Sequence, residues 1–101
     1  MVVVHAYIRI KPEFRDSAMD AMSKMIAPSR AEEGCITYNF FEDSKEANSF
    51  VFVEEWVSRE ALLDVHFQTD HFEKFAAAME GWVAESIVIK LFESERGAEL
   101  L

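Results

Sequence analysis

Basic residues are scarce in this chain. Ten lysines and arginines face nineteen aspartates and glutamates, a formal net charge of -9 at pH 7. A polyanion would be repelled, which excludes nucleic acid and an anionic membrane surface as ligands. Cysteine is scarcer: Cys35 is the only one, so no intrachain disulfide can form, and a reducing cytoplasm is the expected compartment. No apolar run approaches the roughly 20 residues that cross a bilayer. The opening "MVVVHAYIRIKP" has neither the basic n-region nor the small-residue cleavage site of a signal peptide. Repeats, linkers and low-complexity tracts are absent too, so the 101 residues read as one domain.

What is there is apolar and aromatic. Half the residues are hydrophobic and 29% are charged, a globular rather than a disordered balance. Nine Phe, two Trp and two Tyr either pack a core or line a pocket for a flat apolar ligand.

Val2 to Ile10 is β-branched and alternating, and predicts a strand. Pro12 sits where a first helical turn tolerates it, and Phe14, Ala18, Ala21, Met22, Met25 and Ile26 recur at helical spacing. A helix is expected from Glu13 to about Ala27, ended or kinked by Pro28. "SRAEEGC" follows as a polar connection in which Gly34 is free to take a positive φ. Cys35–Glu42 and Ser49–Val57 predict two strands of a hairpin. Ser58 caps a helix from Arg59 to about Phe67, and Thr69 caps another from Asp70 to about Gly81, with Phe72, Phe75, Ala76 and Met79 as its buried stripe. Ser86 to Phe92 is the fourth strand. The charged tail, residues 94–101, is expected to be loose or to latch onto a partner. The order β-α-β-β-α(α)-β is that of a ferredoxin-like α+β fold: four antiparallel strands with helices on one face.

Both faces of that sheet are apolar. Phe50, Phe52 and Trp56 point one way while Val51, Val53 and Val57 point the other; Ile87, Ile89 and Leu91 alternate with Val88 and Phe92. Helices can cover one face only. The other predicts a homodimer with two sheets packed face to face.

"SRAEEGCITYNFFED" followed by "FVFVEEWVSREALLDVHFQTDHFEKF" resembles the antibiotic biosynthesis monooxygenase family of dimeric α+β barrels. The pattern is S-R-x-E-x-G-C-x-x-Y, a strand ending E-x-W, and a helix ending H-x-x-T-x-H-F; it extends from the first strand to the last. The family holds quinol monooxygenases, polyketide-oxidising enzymes, haem-degrading enzymes and a sugar-phosphate isomerase, so the fold does not fix the reaction. The resemblance implies a cavity within each subunit, between helices and sheet. It also implies oxygenase chemistry without metal, flavin or haem. A quinol or phenol is deprotonated and the anion passes an electron directly to oxygen.

On that reading His66 and His71 are the candidate catalytic residues. His66 lies four residues after Leu62, beside the apolar stripe of its helix. It is either a buried packing residue or a neutral imidazole that accepts a phenolic proton. His71, in the first turn of the next helix, either borders the same pocket through Phe75 or is simply solvated; the helix dipole there favours the neutral ring. The i, i+5 spacing, interrupted by Thr69, argues against a metal pair, and no third histidine or cysteine cluster points to a metal site. Tyr38, Phe40, Trp56, Phe72 and Phe75 are the candidate substrate-binding residues. Tyr38 is favoured because a buried hydroxyl needs a partner, whereas Phe52 and Trp56 suit plain packing. Glu54 reads as structural, paired with Arg30, Arg9 or a backbone amide. His5 is expected at the partner-facing side of the sheet, and Cys35 has no basic neighbour to make it a thiolate. The positions that match the asparagine, tryptophan and iron-ligating histidine of the haem-degrading relatives are Ala6, His66 and Ala76, which argues against haem degradation. The leading expectation is thus a cofactor-independent monooxygenase of a quinol or polycyclic phenol. An isomerase of a keto-sugar phosphate, using Arg30, and a non-enzymatic small-molecule-binding dimer are the alternatives.

Overall fold

The computed structural model describes residues 1–95. Four strands, β1 (Val2–Arg9), β2 (Cys35–Glu42), β3 (Ser49–Trp56) and β4 (Val88–Glu93), form one antiparallel sheet in the order β2-β3-β1-β4. This is the expected ferredoxin-like α+β arrangement. The register puts Val4, Ala6 and Ile8 of β1 beside Glu54, Phe52 and Phe50 of β3, so the large apolar side chains share the helix-covered face. Met22, Met25, Leu62 and Met79 close the core from above.

Small departures from expectation have local causes. β1 ends at Arg9, and Ile10 makes an isolated bridge to Val83 instead. β3 ends at Trp56 because the Val57 N–H donates to the Gly34 carbonyl (2.9 Å) rather than to the ladder. β4 begins at Val88, two residues late. The first helix is split into a 3-10 turn (Pro12–Phe14), α1 (Arg15–Lys24) and α2 (Ile26–Arg30). Pro28 lacks the N–H that the Lys24 carbonyl would accept, and its ring crowds that carbonyl. The helix breaks at Met25, then resumes with Pro28 in its first turn, so Ser29 and Arg30 are helical rather than loop.

The second helical region begins as expected: Ser58 Oγ accepts the Ala61 N–H (3.1 Å). It is then wound wide, as a π turn at Ala61–Val65, and tight, as a 3-10 turn at His66–Gln68. α3 (Asp70–Met79) is capped by Thr69, whose Oγ1 accepts the Phe72 N–H (3.2 Å). Gly34 does not have the positive φ expected of it; the positive value belongs to Asn48, at 67°. Its glycine is required for proximity: a Cβ at residue 34 would lie 2.5 Å from the Ala61 Cβ.

The opposite face of the sheet carries Val3, His5, Tyr7, Val51, Val53, Val88 and Phe92 with no helix over it among the described residues, as the alternation predicts. Tyr7, Val88 and Phe92 are exposed there. Of the tail, Ser94 is tied to the N-terminus, its N–H donating to the Met1 carbonyl (2.9 Å); residues 96–101 lie outside the described residues. Among the described residues no helix is long and apolar enough to cross a membrane.

Candidate active site

Between sheet and helices lies an apolar cavity of about 60 Å³, walled by Tyr38, Phe52, Glu54, Phe67, Phe72 and Phe75. It opens at the β4 edge, where Ile87 and Ile89 face the helix side yet stay exposed. Among the described residues no helix reaches over that edge, so the stripe of α3 is only half buried and Ala76 is exposed. Of the expected substrate-binding residues, Tyr38, Phe72 and Phe75 are on the wall. Phe40 and Trp56 are not. Phe40 sits one layer behind, its ring 5.2 Å from that of Phe52. Trp56 is fully buried, its indole 4.5 Å from the His66 ring.

The polar groups on this wall are Glu54 and Tyr38. Glu54 is 5% exposed. None of its expected partners is present: the Arg30 Nε donates to the Tyr38 carbonyl (3.0 Å), and Arg9 pairs with Glu46. Its one donor among the described residues is the Trp56 indole Nε1–H, at 3.0 Å from Oε1. Burial pushes the Glu54 carboxyl up to about 7; the indole bond opposes this and the charge of Glu32 adds to it. Such a group changes charge near neutral pH, as a general base must. The Tyr38 phenol is held protonated, by burial first and then by the charge of Glu54. The Cys35 thiol is pushed up to about 11, by burial and then by Glu32 and Glu54, which keeps it un-ionised at neutral pH.

The two catalytic candidates come together, but beside the cavity rather than on its wall. His66 is 1% exposed and its ring contacts Tyr38 (5.7 Å between centroids) and Phe72 (5.2 Å), both of which line the cavity. Its Nδ1–H donates to Glu32 Oε2 (2.6 Å), and the His71 Nε2–H donates to the same oxygen (2.8 Å). With the carboxylate as acceptor, each ring proton sits on the nitrogen that faces it. Burial lowers the His66 pKa, while Glu32 pulls it the other way. Glu32 is the residue that pattern reading missed. It stands within S-R-x-E-x-G-C, 34 and 39 residues from its two partners, and its signal was the E of that motif.

The remaining candidates lie elsewhere. His5 is on the open sheet face against Phe92 (5.4 Å), on the expected side. Ala6 and Ala76, which match the asparagine and iron ligand of haem-degrading relatives, both line the cavity and bring no polar side-chain atom to it.

The fold is ferredoxin-like α+β, with an aromatic cavity between sheet and helices and a buried carboxylate on its wall. The chain belongs to the antibiotic biosynthesis monooxygenase family, whose model matches residues 1–78. It is 33% identical over 95 residues to the Escherichia coli K12 protein named Probable quinol monooxygenase YgiN, covering 84% of this chain and 90% of that one. It is 40% identical over 92 residues to the Synechocystis protein sll1783, which is uncharacterized; the match covers 91% of this chain but 62% of that protein's length. Among solved structures, a crystal structure of an antibiotic biosynthesis monooxygenase superposes with a TM-score of 0.88 at 31% identity, over 95% of this chain and all of that one. The structure of Rv0793 from Mycobacterium tuberculosis gives 0.90 at 26% identity, over 97% and 98%.

Proposed function

We propose that the protein is a cofactor-independent monooxygenase that oxidises a quinol or polycyclic phenol with molecular oxygen. The observation that carries this is Glu54, a carboxyl near neutral pKa with a single hydrogen-bond donor on the wall of an aromatic cavity. Glu54 takes the hydroxyl proton of the substrate, and the electron-rich anion reduces oxygen. One oxygen atom bonds to a ring carbon and the other leaves as water, so a hydroquinone and O2 give a hydroxyquinone and water. Tyr38 remains a hydrogen-bond donor beside that anion. Phe67, Phe72 and Phe75 exclude water and present ring faces to the substrate. A multi-ring substrate spreads this small cavity or extends through its mouth at Ile87 and Ile89.

This moves the base from His66, the leading candidate on sequence, to Glu54. Oxygen uptake with a panel of quinols tests the choice. Glu54→Gln is expected to lower turnover by roughly 10²–10⁴-fold, the span of a general base. Equal turnover in Glu54→Gln and wild type would remove Glu54 from the mechanism; no uptake on any quinol or phenol would remove the oxygenase reading. The isomerase alternative lacks a phosphate contact, because Arg30 is spent on the Tyr38 carbonyl and does not line the cavity.

We also infer a homodimer formed through the uncovered sheet face, where Tyr7, Val88 and Phe92 would otherwise stay in water. Cytoplasmic residence is part of the same reading, resting on the lone unpaired cysteine. Light scattering on a size-exclusion column should return twice the chain mass; a monomer at micromolar concentration overturns the dimer.

A further inference from the structure

We propose that Glu32, His66 and His71 bind one divalent first-row transition-metal ion of the zinc type, which clamps three separate chain segments behind the cavity wall. The three ligand atoms, one carboxylate oxygen and two imidazole nitrogens, lie within 4.8 Å of one another. Glu32 comes from the loop after α2, His66 from the 3-10 turn and His71 from the first turn of α3. Two imidazoles and a carboxylate are a donor set that suits zinc and its neighbours, with further positions left for water.

The carboxylate itself calls for a cation. The Glu32 side chain is 9% exposed and meets no Lys or Arg among the described residues; its ion-pair partners are the two histidines. Both ring donors fall on Oε2, and Oε1 is buried with no hydrogen-bond partner among the described residues. A buried carboxylate with one empty oxygen and no fixed cation is poorly compensated as it stands. The chain's charge of -9 draws cations towards such a site.

Geometry permits the exchange. Metal–ligand bonds of about 2.1 Å set neighbouring donors roughly 3.4 Å apart in a tetrahedron. The present spacings of 2.6 and 2.8 Å therefore open by less than about 1 Å. His66 is fixed by packing, whereas the His71 side chain is 24% exposed and can yield, giving the ion a route in. Coordination through His66 Nδ1 and His71 Nε2 leaves the other nitrogen of each ring to carry its proton.

The probe is Co2+, added to chelator-treated full-length protein and followed by its d–d absorption, with Zn2+ as competitor. One ion per chain is expected, together with a higher melting temperature in Zn2+. His71→Ala alters a partly exposed side chain and should keep the fold while weakening Co2+ binding by at least tenfold. His5→Ala, on the far side of the sheet, should bind as wild type does. Absence of saturable Co2+ absorption in wild type overturns the proposal and leaves Glu32 as a hydrogen-bond acceptor for its histidines. Undiminished binding in His71→Ala, or loss in His5→Ala, overturns it equally. None of these readings depends on turnover, so they stand apart from the oxygenase test.

Discussion

Glu54 and Glu32 are both withdrawn from solvent, the first at 5% exposure and the second with a side chain 9% exposed, and their surroundings differ. Glu54 projects from the middle of a strand into apolar walls and has a single neutral donor, the Trp56 indole. Glu32 projects from a loop and receives two imidazole donors on one oxygen. Both are desolvated. What separates them is the number and kind of hydrogens aimed at them. A carboxyl with one neutral donor in an apolar wall holds its proton towards neutral pH and is available to a substrate. A carboxylate with two ring donors on one oxygen joins distant segments and holds them through that oxygen, leaving the other without a partner among the described residues. Burial alone thus does not assign a role to a charged residue; its partners do.

The largest expected effect breaks that contrast directly. Glu32→Ala takes the acceptor from two ring donors, one of them fully buried at His66 Nδ1, and should cost about 3 kcal/mol of stability. Urea unfolding measures it. Glu54→Gln, at pH 8, should cost nothing or stabilise, because a neutral amide replaces a charge that burial disfavours. Equal losses in the two variants would mean that both carboxylates are structural.

The second effect is the pH dependence of Glu54. Its folded value of about 7 lies above the ordinary 4.5 of an unfolded glutamate. Between those values the folded state holds the extra proton, so stability declines as pH rises. The contribution is fully present below about pH 4.5 and is lost as the pH climbs through about 7, a total of about 3 kcal/mol. The Glu54→Gln variant should lack this slope. A wild-type protein whose midpoint is flat from pH 5 to 8, matching the variant, would place Glu54 in contact with water.

These two sites were not equally legible in the sequence. The alternation of Phe50, Phe52, Glu54 and Trp56 against Val51 and Val53 put Glu54 on the helix-covered face, because a strand's period of two is rigid. Its lack of an arginine was invisible, since pairing depends on packing across the sheet. Ser58 and Thr69 announced their helices, because a cap is a local hydrogen bond. Glu32 could not be found that way. Its partners arrive only after a π turn and a 3-10 turn have shifted the helix phase, and no side-chain periodicity encodes those windings. The i, i+5 spacing, interrupted by Thr69, argued against a metal pair and carried no sign of the carboxylate that both rings reach.

Gly34 sharpens the same point. Read as free to take a positive φ, it is instead the place where the Glu32 loop meets Ala61, at the start of the π turn that precedes His66. Gly34→Ala forces its new Cβ against the Ala61 Cβ and should cost about 2 kcal/mol, the usual scale for overpacking. Pairing it with Ala61→Gly removes the obstructing atom and should recover part of the loss. A double variant no better than Gly34→Ala would show that the close approach is not what the glycine serves.

The smallest effect tests what holds "HFQTDHF" in shape. Thr69 Oγ1 donates to the His66 carbonyl (2.7 Å) and accepts from the Phe72 N–H, so one hydroxyl links the end of one helical segment to the start of the next. The Phe67 and Phe72 rings stack across the same junction at 4.6 Å. Thr69→Ala removes the hydroxyl alone and should cost about 1 kcal/mol, the usual value of a cap. Thr69→Ser should restore it. Because the ring stack survives the substitution, the His66 carbonyl also keeps the Thr69 N–H (3.1 Å), and the histidines should stay near Glu32. Amide exchange at Phe72 should quicken in Thr69→Ala while that of the core strands does not. Unchanged exchange at Phe72 would assign the junction to the aromatic rings, and the hydroxyl would then be a bystander between two histidines already fixed by their carboxylate.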